Sequence, residues 1–326
     1  MERIALIYDG GILYGSRLVI VLAVTAAICG FLSLYLRKSE TPAAGLAAVP
    51  IGLGLSLVLS RLLYWYAFPE SCSSLWTALT DYSTGSFVLL GAFLGCPLAA
   101  ELTRKLGLHK DTPQMLDCMC LAGGAAISVG RLSSLFNASA RGEIIHTLRS
   151  LPWICPVVNG VSGVTEYRLA TFLLQAMVTA LITAALALYS RKRDAHRKNG
   201  DITLLFLLCY CAAQILLDST RYDSVTFRSN GFISIVQVSC GLTVVLIIAA
   251  VSVRFVKKHR LRVWNLLAWS VISLLLALTG YMEYYVQRHS NQAPLAYSVM
   301  ALSLAAVVAV TLIIYHMVKR PNEKTT

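Results

Sequence analysis

Long apolar runs, separated by short polar and basic stretches, set the organisation of this chain. They cover residues 17–36, 45–68, 86–102, 114–136, 167–190, 202–217, 232–253, 264–282 and 295–318. About 20 apolar residues rising about 1.5 Å each cross a hydrocarbon core of about 30 Å. The pattern therefore predicts nine transmembrane helices and an all-α polytopic membrane protein. In such a fold every backbone polar group in the lipid is satisfied within its own helix.

Composition agrees. The 326 residues are 57% hydrophobic and 13% charged, against about 25% charged in soluble proteins. The net charge of +12 would point to nucleic acid in a soluble chain. Here the basic residues sit in short clusters between apolar runs, which is a topology signal instead, and no nucleic-acid partner is expected. The nine cysteines lie mostly inside the apolar runs, where cysteine behaves as a small hydrophobe. The Cys118/Cys120 and Cys209/Cys211 pairs have no nearby histidine or further cysteine to complete a zinc site, so neither metal nor cofactor is expected. Cys72 and Cys155 fall in loops on one side and are within reach of pairing. The Tyr8-Asp9-Gly10-Gly11 break before the first run argues against a cleaved signal peptide.

Lysine fixes the orientation. Lys38, Lys105, Lys110, Lys192, Lys198, Lys257, Lys258, Lys319 and Lys324 are all the lysines of the chain. With nine helices they fall on one side, so the positive-inside rule places the N-terminus outside and the C-terminus in the cytoplasm. The expected location is a membrane, crossed many times, with the lysine side toward the cytoplasm.

Five arginines run against that bias. Arg17, Arg61, Arg131, Arg168 and Arg221 come to the outer ends of their helices. Any one of them has a bland explanation, since an arginine near a helix end snorkels to the interface or forms an ion pair. Asp218, Asp223 and Glu166 are placed to neutralise Arg221 or Arg168. As a group, planar guanidinium forks at headgroup depth suit an anionic phospholipid. The outer connection 137–166 is the longest, and long loops in compact proteins tend to be functional. It carries Glu143 and His146, the one histidine that comes toward the arginines. Gly123 and Gly124, in mid-helix, are expected to permit close helix packing.

The stretch Asp117…Gly130-Arg131-Leu132-Ser133-Ser134-Leu135-Phe136-Asn137 resembles the signature of prolipoprotein diacylglyceryl transferases, in which an acid opens a helix and G-R-x-G-N-F-x-N closes it. Ile12-Leu13-Tyr14-Gly15 resembles the family's W-Y-G-L entry, and Ser60-Arg61-Leu62-Leu63-Tyr64 its A-R-L-x-Y segment. Leu151-Pro152-Trp153, Leu217-Asp218-Ser219-Thr220-Arg221 and Gly231-Phe232-Ile233-Ser234-Ile235-Val236-Gln237 resemble its outer loop and its E-F-x-R…G-L-S-x-x-Q block. The resemblance covers residues 1–253, seven helices, and leaves 254–326 as an added two-helix hairpin with a cytoplasmic tail.

The resemblance implies transfer of diacylglyceryl from phosphatidylglycerol to the lipobox cysteine thiol of a lipoprotein precursor's signal peptide. It assigns Arg131 and Arg221 to the lipid phosphate. Tyr14, Arg61 and Asn137 match other family motif positions and, together with Glu166, Arg168 and Asp218 from the charge pattern at the outer end, are the expected substrate-binding positions. The thiol's base stays open among Glu143, His146 and Glu166. The chain departs from the pattern at the family's third-helix histidine, which has no counterpart in residues 86–95, and at Ser134, where the family has asparagine. A homologue that binds lipid or lipopeptide without chemistry is therefore an alternative. A transporter is a second, without the inverted repeats or broken helices that such folds carry.

Overall fold

The computed structural model describes residues 4–8, 11–38, 41–67, 74–80, 88–137, 139–145, 154–158, 164–192, 197–227, 230–259, 263–288 and 293–319. Helices dominate. In chain order they are α1 (Gly15–Leu36), α2 (Pro42–Ala67), α3 (Leu75–Thr80), α4 (Leu90–Lys105), α5 (Thr112–Arg131), α6 (Thr171–Arg191), α7 (Asp201–Ser219), α8 (Ile235–His259), α9 (Val263–Arg288) and α10 (Ala293–Lys319). Eight of these are long and apolar enough to cross a membrane, among them α5 extended by a 3-10 turn at Leu132–Leu135. The chain is thus a multi-pass helical membrane protein. α4, with 16 residues, reaches about 24 Å and falls short of a full bilayer core.

α4 compensates by packing tightly. Gly91 and Gly95 lie on the face toward α2, and a Cβ on Gly95 would sit 2.6 Å from the Ser56 backbone nitrogen. The Ser60 hydroxyl donates to the Val88 carbonyl at 2.6 Å. This is the close small-residue packing that replaces hydrophobic driving force in lipid. The Gly123-Gly124 pair divides. A Cβ on Gly124 would meet Phe206 Cε2 at 2.7 Å, whereas Gly123 has nothing within 4 Å. Only Gly124 is a packing glycine.

Two buried clusters hold the bundle. The larger joins α7, α8 and α10 through Phe206, Leu208, Val244, Val251 and Val307. The smaller joins α1, α2, α4 and α5 through Phe31, Tyr35, Ala48, Ala100 and Met115. Asp117 ties two helices at one end. Its carboxylate accepts from the Gly200 N–H (2.9 Å) and from the N–H and hydroxyl of Thr203 (both 2.8 Å), so α5 supplies the N-terminal cap that α7 lacks in its own sequence. The described lysines gather at this same end, where Lys258 Nζ donates to the Val318 carbonyl and Lys319 lies 3.7 Å from Asp201.

The opposite end is not purely helical. Antiparallel two-stranded hairpins precede α1, α6 and α8: β1 (Ile4–Tyr8) with β2 (Gly11–Tyr14), β3 (Ile154–Val158) with β4 (Thr165–Leu169), and β5 (Thr226–Phe227) with β6 (Asn230–Ser234). This corrects two boundaries read from the apolar runs. The fifth predicted helix begins at Thr171, not Tyr167, so Arg168 lies on β4, and the seventh predicted helix begins at Ile235, not Phe232.

Candidate functional site

The site candidates lie where α5, α6 and α7 emerge at the hairpin end. After the 3-10 turn the chain runs as an extended segment, 139–145, between β4 and the end of α7. The Gly142 N–H donates to the Leu169 carbonyl (2.8 Å), the Ile145 N–H to the Tyr167 carbonyl (2.7 Å) and the Tyr222 N–H to the Arg141 carbonyl (3.1 Å). Ala140 enters with φ +55°. Its N–H donates to Asp223 Oδ2 (2.8 Å) and its carbonyl accepts from Phe172 (3.0 Å). Gly142 has to be glycine. An added Cβ would stand 2.8 Å from each of Leu169 Cβ, Thr171 Oγ1 and the Thr220 carbonyl oxygen.

This seam assembles five of the sequence candidates. Arg221 is bound to Asp218 (3.2 Å) and Asp223 (3.0 Å). Asp218 is buried and also accepts from the Ser234 hydroxyl. Arg168 is paired with Glu166 at 2.7 Å, donates to the Gly142 carbonyl at 3.3 Å and lies over the Tyr222 ring at 4.4 Å. Glu143, one residue beyond Gly142, is exposed and lies 3.4 Å from the Tyr297 hydroxyl. Arg168 and Arg221 thus flank Gly142 with their charges already matched by carboxylates, as Glu166, Asp218 and Asp223 in the sequence foreshadow.

Arg131 is different. It ends α5 and reaches inward to the Tyr210 hydroxyl of α7. Tyr210 is nine residues before the end of α7, about 13 Å below it, and stacks between Phe93 and Phe206 at 5.2 and 5.4 Å. The Arg131 Nε is buried with no hydrogen-bond acceptor. A guanidinium at this depth with an unmatched donor is costly in hydrocarbon.

The remaining candidates separate. Tyr14 lies under the Arg17 guanidinium (5.1 Å) beside Gly15, which packs against the Phe136 ring. Asn137 Oδ1 accepts from the Ser139 N–H at 3.1 Å and closes the turn into the extended segment. Arg61 is 1% exposed, donates from Nε to the Ala78 carbonyl at 2.7 Å and so pins α3 to α2. His146 and the 151–153 piece lie outside the described residues, as does Cys72. Cys155 is a free thiol in contact with Arg141.

Sequence reasoning missed three groups. Arg141 is buried, lies over Phe172 at 5.4 Å and donates to the Ser134 and Asn137 carbonyls. Glu283 and Tyr297, on α9 and α10, reach the end of α7. Glu283 had a readable signal, a carboxylate directly after the apolar run 264–282.

A family model described as prolipoprotein diacylglyceryl transferase matches residues 12–256. The chain is 25% identical over 235 residues to the phosphatidylglycerol–prolipoprotein diacylglyceryl transferase of Streptococcus suis (strain 05ZYH33), covering 68% of this chain and 86% of that protein. It is 26% identical over 215 residues to the protein of the same name from Streptococcus pneumoniae (strain Hungary19A-6), covering 64% and 80%. The match ends within α8, before α9 and α10.

Proposed function

Since this chain belongs to the prolipoprotein diacylglyceryl transferase family, we propose that it transfers diacylglyceryl from phosphatidylglycerol to the lipobox cysteine of a lipoprotein precursor. The thiol sulfur forms a bond to the terminal glyceryl carbon of the lipid. The carbon–oxygen bond to phosphate breaks, its electron pair leaves with glycerol 1-phosphate, and the thiol proton passes to a base. The observation that carries the reading is Arg131, whose buried Nε lacks an acceptor. We assign the lipid phosphate to Arg131, which stabilises the charge growing on the leaving group.

Arg221 and Arg168 form the outer rim of the same site, with Asp218 and Glu166 setting their guanidinium planes. Tyr14, Asn137 and Arg61 support the surrounding walls. Glu143 is the preferred base of the described carboxylates, because Glu166 is committed to Arg168. The lysine end faces the cytoplasm, the hairpin end faces outward in a bacterial cytoplasmic membrane, and α9–α10 is an added unit beginning after His259.

The test is a transfer assay on the full chain in phosphatidylglycerol-containing nanodiscs with a synthetic lipobox peptide. Wild type is expected to release glycerol 1-phosphate in step with thioether formation. Peptide left unmodified by well-folded protein would defeat the enzyme reading. A catalytically silent lipid binder is the second reading, favoured by the double carboxylate pairing of Arg221 and the absence of a histidine from α4.

A further inference from the structure

Both helices of the C-terminal hairpin reach the end of α7 that leads into Arg221, α10 by packing against it and α9 through the Glu283 side chain, although neither falls within the family match. Glu283, near the end of α9, is 8% exposed. Its carboxylate lies beside the Ser219 hydroxyl and the Gln237 and Gln287 amides. Even so, Glu283 Oε2 and Ser219 Oγ are both buried without a well-formed hydrogen bond. A buried carboxylate with an unmatched oxygen costs free energy that a leucine would not. A helix serving only as an anchor has no use for it.

The neighbours show what it holds. Gln237 accepts from the Ser234 N–H at 2.9 Å, and its own N–H donates to Ser234 Oγ at 3.0 Å. The Ser234 hydroxyl in turn donates to Asp218, which pairs with Arg221. Ser219 is the last residue of α7 and stands between Asp218 and the turn that carries Arg221. From α10, the Tyr297 hydroxyl lies 3.3 Å from the Ser219 carbonyl oxygen and 3.4 Å from Glu143 Oε1. The hairpin therefore braces both strands that meet at the Gly142–Arg221 bridge.

We propose that α9–α10 is a working part of the site and that Glu283 is a positioning residue, fixing the Asp218–Arg221 pair from behind through Ser219 and Gln237. The inference rests on the transferase reading for its kinetic readout, so the test carries a second readout that does not.

Full-length wild type, Glu283→Leu, Glu283→Gln and Tyr297→Phe are placed in phosphatidylcholine nanodiscs with titrated phosphatidylglycerol. Leu274→Ala, on the lipid-facing side of α9, is the control. Glu283→Leu is expected to raise the phosphatidylglycerol KM about tenfold with the peptide KM unchanged. Glu283→Gln, which keeps shape and hydrogen bonding, restores most of it. Glu283→Leu with a wild-type phosphatidylglycerol KM overturns the proposal. So does a peptide KM that rises in parallel, which marks general distortion. If Glu283→Leu fails to insert, Tyr297→Phe decides: a several-fold rise in KM supports the bracing role, and no change ends it. If wild type transfers nothing, phosphatidylglycerol affinity in the same discs is read instead. Weakened binding in Glu283→Leu then keeps the brace while the transferase reading falls, and unchanged binding removes the brace.

Discussion

Replacing Gly142 by alanine tests how the seam holds its arginines. The added Cβ would lie 2.8 Å from three atoms in three elements: Leu169 Cβ, Thr171 Oγ1 and the Thr220 carbonyl oxygen. Ordinary carbon contacts sit near 3.5–4.0 Å, so each wall must retreat by about 0.7 Å or more. None of them is the free end of a flexible side chain. Leu169 is adjacent to Arg168 and Thr220 to Arg221, so a widened seam moves both guanidinium groups together with their carboxylates. Overpacking of this kind costs about 1–3 kcal/mol. A displacement of about 1 Å near a reacting centre is worth up to about a hundredfold in rate. Gly142→Ala is therefore expected to lower the detergent melting temperature and to reduce diacylglyceryl transfer at least tenfold per folded molecule. Melting is followed by tryptophan fluorescence, and transfer by mass spectrometry of the peptide. A variant with wild-type melting and wild-type turnover would refute the argument that this seam sets the site.

Three further outcomes follow from the fold. Asp117→Ala removes three hydrogen bonds at the start of α7 and should destabilise the protein by about 2 kcal/mol or more, with turnover per folded molecule kept, as thermal melts and activity titrations will show. Gly95→Leu should break the α2–α4 contact and yield protein that aggregates on size-exclusion chromatography, because Ser56 leaves no room for a side chain. A green fluorescent protein fused after Thr326 should fluoresce in cells. A dark but fully expressed fusion would reverse the assigned orientation.

The helices were legible because each needs about 20 apolar residues, and that demand leaves a plain trace in sequence. Lysine placement likewise announced which ends group together. What stayed hidden was the set of short hairpins. Tyr167, Arg168 and Leu169 adjoin an apolar run, so strand β4 merged into the helix that follows it, and Phe232 and Ile233 did the same for β6. Pairing partners settle such strands, and β3 and β4 are separated by six residues of sequence. The carboxylate partners of Arg168 and Arg221 were readable because they are near in sequence. The Arg131–Tyr210 contact was not, since it depends on the relative rotation of α5 and α7. Arg61 likewise has a partner that its sequence position did not announce, since its Nε donates to the Ala78 carbonyl. Glu283 and Tyr297 were passed over because they lie beyond the resemblance.

The central claim is that Arg131 holds the lipid phosphate in a working transferase. Its most direct test is complementation in bacterial cells depleted of their own transferase, with wild type and Arg131→Ala at equal membrane levels. Wild type is expected to restore lipid-modified lipoprotein, and Arg131→Ala to lower it at least a hundredfold, a size typical of losing one charge-stabilising group. Unmodified precursor with wild type, or full modification with Arg131→Ala, would contradict the account.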